Sequence, residues 1–460
     1  MKKYKKLLGN SVIFAIGNLG SKFISFLLLP LYTYTMSTSS FGTADLVQTT
    51  ISLALPIISL NVFDGVLRFA MDKDESKSEV FTTGLQLTLV GSAVTLIAGV
   101  IVQFVWNSLG LIFSLILIAQ AIQSLFSQYI KAIGEVRLFA INGIFLTFCT
   151  AIFDILFLVV FHQGLSGYLI ALLFANILSD IFLWHLANLR KASNIRLHST
   201  TMLKRLIAYS TPLIPNSIAW WTTSAISRYF ILAFIGTAGN GLFAVANRIP
   251  SLLNVVNTVF FQSWQLSAIE EFESKDSADF YATVFRYYSQ IMFFGTACIL
   301  FILKPLMTII VNHNYFSAWK YIPILLISVV FSSFSSFFGQ FYIAARRTGG
   351  VLITTIFGAL INIALNIILV PSFGLMGAAI SSAVSYLVLW IIRVYDTRKI
   401  LKIRLQSSEM LANLIVISIQ ITGLLIQHGN GLSLIVGAAL MISILINAQS
   451  VIKLYQQRRT

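Results

Sequence analysis

The sequence predicts an all-α polytopic membrane protein of about fourteen transmembrane helices, two pseudo-symmetric six-helix halves followed by two more helices. Three observations carry that expectation. Hydrophobic residues make up 57% and charged residues only 10% of the chain, with a mean hydropathy of +0.86, whereas a soluble domain has roughly 25% charged residues. Apolar runs of the roughly 20 residues that a helix needs to cross a bilayer recur from end to end. Short sequence matches recur between the first and second halves.

The first six runs cover residues 11–35, 43–70, 80–105, 110–133, 139–161 and 167–189. The next six cover 206–236, 241–270, 281–311, 321–345, 349–370 and 375–396, and the last two 409–427 and 431–452. The expected division is an N-terminal lobe over 1–200, a C-terminal lobe over 201–405, and the final helix pair with a tail over 406–460. The start, MKKYKKLLGN, has the basic character of a signal peptide. The apolar run behind it continues to Tyr34, contains Asn18 and Lys22 and lacks a small-x-small cleavage site, so it reads as an uncleaved first span.

FGTADLVQT at 41–49 and NGLFAVANR at 240–248 each open the second span of a half, and GLSG at 164–167 matches GLMG at 374–377 as the turn opening the sixth. Six spans per half is an even number, so the copies share one orientation and the substrate site is expected at the repeat interface.

Topology follows from charge. Four lysines precede the first span, and thereafter every second loop is basic: Lys73 and Lys77, Lys131 and Arg137, Arg190 through Arg205, Lys275, Arg346 and Arg347, Arg398 through Arg404, then Lys453, Arg458 and Arg459. Alternate loops such as GTAGN at 236–240 carry almost none. The positive-inside rule places both termini in the cytoplasm. The net charge of +15 therefore reads as topology and attraction to anionic lipid rather than nucleic-acid binding.

Eight cations fall in or beside spans: Lys22, Arg68, Arg228, Arg248, Arg286, Lys304, Lys320 and Arg393. The last three are expected to snorkel from span ends, and Arg286 to lie near the cytoplasmic end. Lys22, Arg68, Arg228 and Arg248 remain as deep charges, and an intramembrane charge normally faces a water-filled cavity or a partner. Each has a polar face at helical spacing: Asn18 with Lys22; Asn61, Asp64 and Arg68; Asn216, Trp220, Ser224 and Arg228; Asn247, Ser251, Asn254, Thr258 and Gln262 beside Arg248. These four spans hold equivalent places in the two halves, so their polar faces are expected to line one cavity.

Plainer readings stand beside this one. Asp64 and Arg68 are four apart and suit an intrahelical ion pair, and Ser, Thr and Asn stripes also serve as interhelical glue. Asp45, Asp154 and Asp180 suit either partners for the cations or carriers of a coupling proton or sodium ion. A cationic cavity suits an anionic, sugar-bearing substrate, because Arg forks and Lys point charges bind phosphate oxygens. Trp220, Trp221, Trp264 and Tyr229 suit stacking on sugar rings, though aromatics also form interfacial belts. Pro212, Pro215 and Pro250 each remove a backbone donor and suit kinks.

Enzyme signatures are absent from the sequence. No loop exceeds about twenty residues, so no catalytic domain is expected outside the bilayer. GNLGSK at 17–22 has Lys and Ser in the wrong order for a phosphate loop and lies mid-span, the five His show no metal spacing, and no G-x-S-x-G elbow occurs. Cys149 and Cys298 both lie in apolar spans. No cofactor and no metal is expected.

The pattern resembles a Wzx-type polysaccharide flippase of the superfamily that also holds MATE exporters and the lipid II flippase. The likeness rests on the basic start, NLGSKFISFLLLPLYTYTMSTSSFG at 18–42, PLIPNSIAWW with SRYFILAFIGTAGNGLFAVANRI in the second half, and the fourteen-span layout. It implies two lobes in a MATE-like V around a central cavity in a bacterial cell membrane. It implies a substrate built on undecaprenyl diphosphate whose oligosaccharide crosses through the cavity, for capsule, O-antigen or exopolysaccharide assembly, with other polysaccharide-assembly proteins as partners. It also implies functional cations on spans one, two, seven and eight, where Lys22, Arg68, Arg228 and Arg248 occur. A lipid II-type flippase, a cation-coupled exporter and a membrane polysaccharide polymerase or ligase are the alternative readings.

Overall fold

The structure is a computed structural model that describes residues 20–72, 74–106, 109–193, 199–345, 347–426 and 436–447. It is all-helical, and nine helices among the described residues are long and apolar enough to cross a membrane. Helices are the expected answer in lipid, where each backbone N–H and C=O needs a partner within its own segment. The chain divides into two compact units, Met1–Ala225 and Ile226–Thr460.

The first unit comprises α1 (residues 20–35), α2 (Thr38–Ile58), α3 (Val62–Ala70), α4 (Lys77–Trp106), α5 (Gly110–Ala132), α6 (Val136–Asp154), α7 (Gly164–Leu186), α8 (Leu189–Ala192), α9 (Thr200–Ser210) and α10 (Leu213–Ala225). Ser37 caps α2, accepting the Ser40 N–H at 3.1 Å. The run expected as one straight second span is two helices. Between them Leu60 and Asn61 both take left-handed conformations, with φ of 50° and 53°, each costing about 1–2 kcal/mol for an L-residue with a side chain. α4 passes close beside this break, and only a residue without a Cβ fits there, because a Cβ on Gly91 would lie 2.4 Å from the Ile58 carbonyl oxygen.

The helix α6 runs on into a π-helical turn, Ile155–Val160. An apolar core of Val62, Val66, Phe81, Leu125, Leu183 and Leu206 joins α3, α4, α5, α7 and α9. Near that core the loops are tied together: Ser78 Oγ donates to the Ala192 carbonyl at 2.6 Å, and Arg205 pairs with Glu75 at 2.6 Å. The turn after α3, the start of α4, α8 and α9 thus lie at one end of this unit.

The seventh span is likewise divided, into α9, α10 and α11 (Ser227–Phe234). Pro212 accounts for the first interruption, having no N–H to give the helix. The second falls at Ile226, where the two compact units divide. α10 belongs with the first unit because it packs on α2, the Trp221 indole N–H donating to the Thr49 carbonyl at 2.9 Å.

The second unit continues with α12 (Thr237–Glu270), α13 (Ser277–Ile310), a 3₁₀ segment at His313–Lys320, α14 (Ile322–Ala344), α15 (Thr348–Thr397), α16 (Ser407–Ile426) and α17 (Val436–Asn447). α15 contains the eleventh and twelfth spans, separated at Gly374. Gly374 has φ of 59° and Gly164 has φ of 55°. The two glycines of the GLMG and GLSG repeats therefore both take a positive φ at the entry to the sixth span of each half, a region that Gly enters without steric cost.

The core here is aromatic. Trp264 stacks on Phe337 with centroids 4.6 Å apart and an interplanar angle of 10°, and Tyr288 stacks on Phe260 at 4.1 Å. Trp264 is 3% exposed. The ring expected to face sugar is a core side chain, enclosed by rings from α13 and α14.

Candidate functional site

In the first unit polar side chains converge where α2 and α3 pack on α5, and α10 packs on α2. Asp64, in the first turn of α3, accepts from Asn61 Nδ2 at 2.9 Å and from Gln128 Nε2 at 3.3 Å. The intrahelical pair with Arg68 does not form. Arg68 sits two residues before the end of α3, with its guanidinium 3.9 Å from Asp72, and both side chains are well exposed. The break at Leu60–Asn61 causes the difference: it starts a new helix whose first-turn carboxylate turns to Asn61 and α5, leaving Arg68 to the loop beyond.

The α5 side of this junction carries Gln120, Gln123, Ser124, Ser127 and Gln128, five polar residues at helical spacing on a membrane span. Gln120 Nε2 donates to Gln48 Oε1 of α2 at 3.3 Å, and Gln123 Nε2 donates to Ser127 Oγ at 3.0 Å. This stripe was legible by the same periodicity as the others. A search led by charge passes over it, because glutamine carries none. Trp221 is half-buried on the α2 side, while Trp220 is exposed and Asn216 half-buried on the same helix.

Elsewhere in the unit, Tyr32 of α1 donates its hydroxyl to Asp154 Oδ2 at 2.6 Å. Asp154 is fully buried, its Oδ1 has no hydrogen-bond partner among the described residues, and it is the last residue before the π-helical turn. Such turns concentrate at functional sites. Asp45 is half-buried in the first turns of α2, and Lys22 is exposed on α1. Asn18 lies outside the described residues.

In the second unit, Arg228 is half-buried in the first turn of α11 and Arg248 half-buried on α12. Asn247 Nδ2 donates to the Phe243 carbonyl at 2.7 Å and Ser251 Oγ to the Arg248 carbonyl at 2.6 Å, so both spend a donor on their own helix. The side chain of Gln262 lies outside the described residues.

Two arrangements of this unit were not anticipated. Arg393, expected to snorkel from a span end, is 1% exposed. Its five N–H groups all find oxygens: Nε donates to Thr354 Oγ1 at 3.1 Å, Nη1 to the carbonyl and hydroxyl of Ser335 at 2.9 and 3.1 Å, and Nη2 to Thr355 Oγ1 at 2.9 Å and the Val351 carbonyl at 3.4 Å. The acceptors come from α14 and the first half of α15, so the residue joins three spans. Arg286, in turn, forks onto Glu409 at the start of α16, with Gln290 Nε2 also donating to Glu409 at 3.0 Å. These residues line a cleft between α13 and α16 with Gln406 and Asn413.

No family model matches the chain. Among curated proteins it is 24% identical over 262 residues to the Lsg locus putative protein 1 of Haemophilus influenzae, covering 54% of this chain and 63% of that one. It is 31% identical over 97 residues to an uncharacterized membrane protein of Methanocaldococcus jannaschii, covering 21% and 19%. The chain thus spans less than two thirds of the length of either relative. Among solved structures it superposes on the inward-facing conformation of a multidrug resistance MATE family transporter of the MOP superfamily. The TM-score is 0.68 at 15% identity, covering 82% of this chain and 94% of that one. It also superposes on a MOP superfamily transporter from Pyrococcus furiosus described as having a binding pocket of reverse polarity, with a TM-score of 0.60 at 15% identity, covering 90% and 96%. The fold is that of the MATE-like MOP transporters.

Proposed function

We propose that the protein is a flippase of the Wzx type. By alternating access it carries oligosaccharide repeat units linked to undecaprenyl diphosphate from the cytoplasmic to the outer leaflet of a bacterial cell membrane. The observation that carries this reading is the pairing of a MATE-like fold with half-buried arginines, Arg228 and Arg248, inside spans seven and eight. A guanidinium within a membrane span faces a partner or a water-filled cavity, and a diphosphate matches its fork. The Haemophilus relative takes its name from the Lsg locus, and a transporter of this fold has been described with reversed pocket polarity. The first supports a role tied to that locus, and the second that this fold accommodates more than one pocket polarity. On the same reading Lys22 of the first unit is a further cation for the cargo, whereas Arg68 pairs with Asp72 at the end of α3. Both termini face the cytoplasm.

Moving a net charge of about −2 outward against a negative-inside potential is downhill by roughly 4–5 kcal/mol per 100 mV. Asp154 suits a coupling carboxylate better than Asp45 does, since it is fully buried with one oxygen unmatched. The test is reconstitution in vesicles with a fluorescent undecaprenyl-diphosphate-linked oligosaccharide. Wild-type protein should expose the label to an outside quencher, and Arg228→Ala with Arg248→Ala should abolish this at normal expression. Translocation that survives the double change overturns the anion-site reading.

A further inference from the structure

We propose that Lys304, Trp319 and Lys320 form a site for the diphosphate of the polyprenyl carrier at the outer end of the second unit, an inference that rests on the flippase reading above. Between Arg286 and Arg346 these two lysines are the only Asp, Glu, Lys or Arg residues of the chain. Lys304 lies in the last two turns of α13, whose other end begins beside Lys275, and Lys320 closes the 3₁₀ segment that follows α13. Both therefore stand at the end of the spans opposite the basic loops, where the positive-inside rule leaves cations scarce.

Their arrangement is built rather than loose. The 3₁₀ segment rests on α12, α13 and α14, with Tyr315 and Ala318 buried beneath it. That seats Trp319 and Lys320, and Lys304 Nζ stands 4.4 Å from the centroid of the Trp319 ring. A lysine that only snorkels extends from its span into the interface. Lys304 instead turns onto the indole, which brings its ammonium to the residue next to Lys320.

Cation–π attraction holds an ammonium without neutralising it. No ion pair among the described residues involves either lysine, and no Asp or Glu occurs between Asp279 and Asp396. Like charges gathered without an acid repel one another, and an anion shared by both removes that cost. Lysine binds phosphate as a point charge, and a diphosphate offers one phosphoryl group to each ammonium. On the flippase reading the polyprenyl tail stays in lipid, so the head group reaches the outer surface at the edge of a span. The end of α13 is such an edge. Arg228 and Arg248 act on the head group during crossing, and the lysine pair receives it on arrival.

The experiment follows acetylation of individual lysines by a membrane-impermeant amine reagent, read by peptide mass spectrometry on the full-length protein in phosphatidylcholine nanodiscs. Undecaprenyl diphosphate at about ten times its Kd should slow the labelling of Lys304 and Lys320 about ten-fold. Lys275, which stands among Glu271, Glu273 and Asp276, should keep its rate. Lys304→Gln should remove most of the protection at Lys320. Lys320→Gln, a change at an exposed position, should do the same at Lys304, and thermal melting checks that both variants fold. Three results each overturn this site alone while translocation dependent on Arg228 and Arg248 stands. They are unchanged labelling with the diphosphate, equal protection by phosphatidylglycerol at the same concentration, and full protection of one lysine in a folded variant lacking the other. Wild-type protein that neither translocates the labelled oligosaccharide lipid nor shows protection overturns the flippase reading and the site with it.

Discussion

Arg286 and Glu409 meet as a two-pronged fork, the Nε arm measuring 2.9 Å, and the fork joins α13 to α16. The pair is about a quarter to a third exposed, so it lies between a surface ion pair and a sealed one. Glu409→Ala should cost about 1–3 kcal/mol, because the guanidinium and the Gln290 amide lose a charged acceptor. The combined change Arg286→Met with Glu409→Leu should recover part of that loss, since an apolar pair leaves no orphan charge. Thermal unfolding of wild type, Arg286→Met, Glu409→Leu and the double change closes the cycle that measures the coupling, and additive losses would show that the fork contributes nothing.

Arg393 gives a sharper case. Arg393→Ala should cost about 3–5 kcal/mol, since it empties a site where four residues offer five oxygens to one fork. Arg393→Lys should rescue little of it, because an ammonium cannot reach both Ser335 and Thr355 in the plane of a guanidinium. Melting temperatures in detergent decide the ranking, and a Lys variant as stable as wild type would refute the geometric account.

The repeated turns are testable side by side. Gly164→Ala and Gly374→Ala should each cost about 1–2 kcal/mol, the steric penalty of a left-handed residue with a Cβ. Gly349 has open space around it and no left-handed φ, so Gly349→Ala should be neutral or stabilising by about 0.4–1 kcal/mol. The contrast between the three is the measurement.

Asp154 can be separated from its structural role through Tyr32. Tyr32→Phe removes the hydroxyl that donates to the carboxyl and should cost about 1–3 kcal/mol. Asp154→Asn keeps an acceptor oxygen for the same hydroxyl, so stability should hold within about 1 kcal/mol while transport driven by an ion gradient is lost. A variant that still concentrates substrate with the gradient would remove Asp154 from coupling.

The spans were legible because an apolar run of the right length is a local property, and Gly110–Ala132 or Ile322–Ala344 could be read almost to the residue. The repeat was legible too, and its two glycines, 210 residues apart in sequence, both take a positive φ. What escaped depends on distant partners. Nothing near Arg393 announces that Ser335, Thr354 and Thr355 receive it, and nothing near Trp264 announces Phe337. The break in the second span escaped for another reason: Ser59, Asn61 and Asp64 continue a helical polar spacing across it, and Pro56 lies a full turn before Leu60. Hydropathy carries no signal for backbone handedness.

That break bears on mechanics. A continuous helix bends only by rupturing hydrogen bonds along its outer edge, whereas between α2 and α3 the regular ladder is already interrupted and Leu60 and Asn61 are the joint. Val62, Val66 and Ala70 moor α3 to buried side chains, and Phe41, Leu46 and Ile51 of α2 are buried as well, so packing holds both arms of the joint. Each left-handed residue costs about 1–2 kcal/mol, so the packing on either side of Leu60 and Asn61 is what keeps the second span in two pieces.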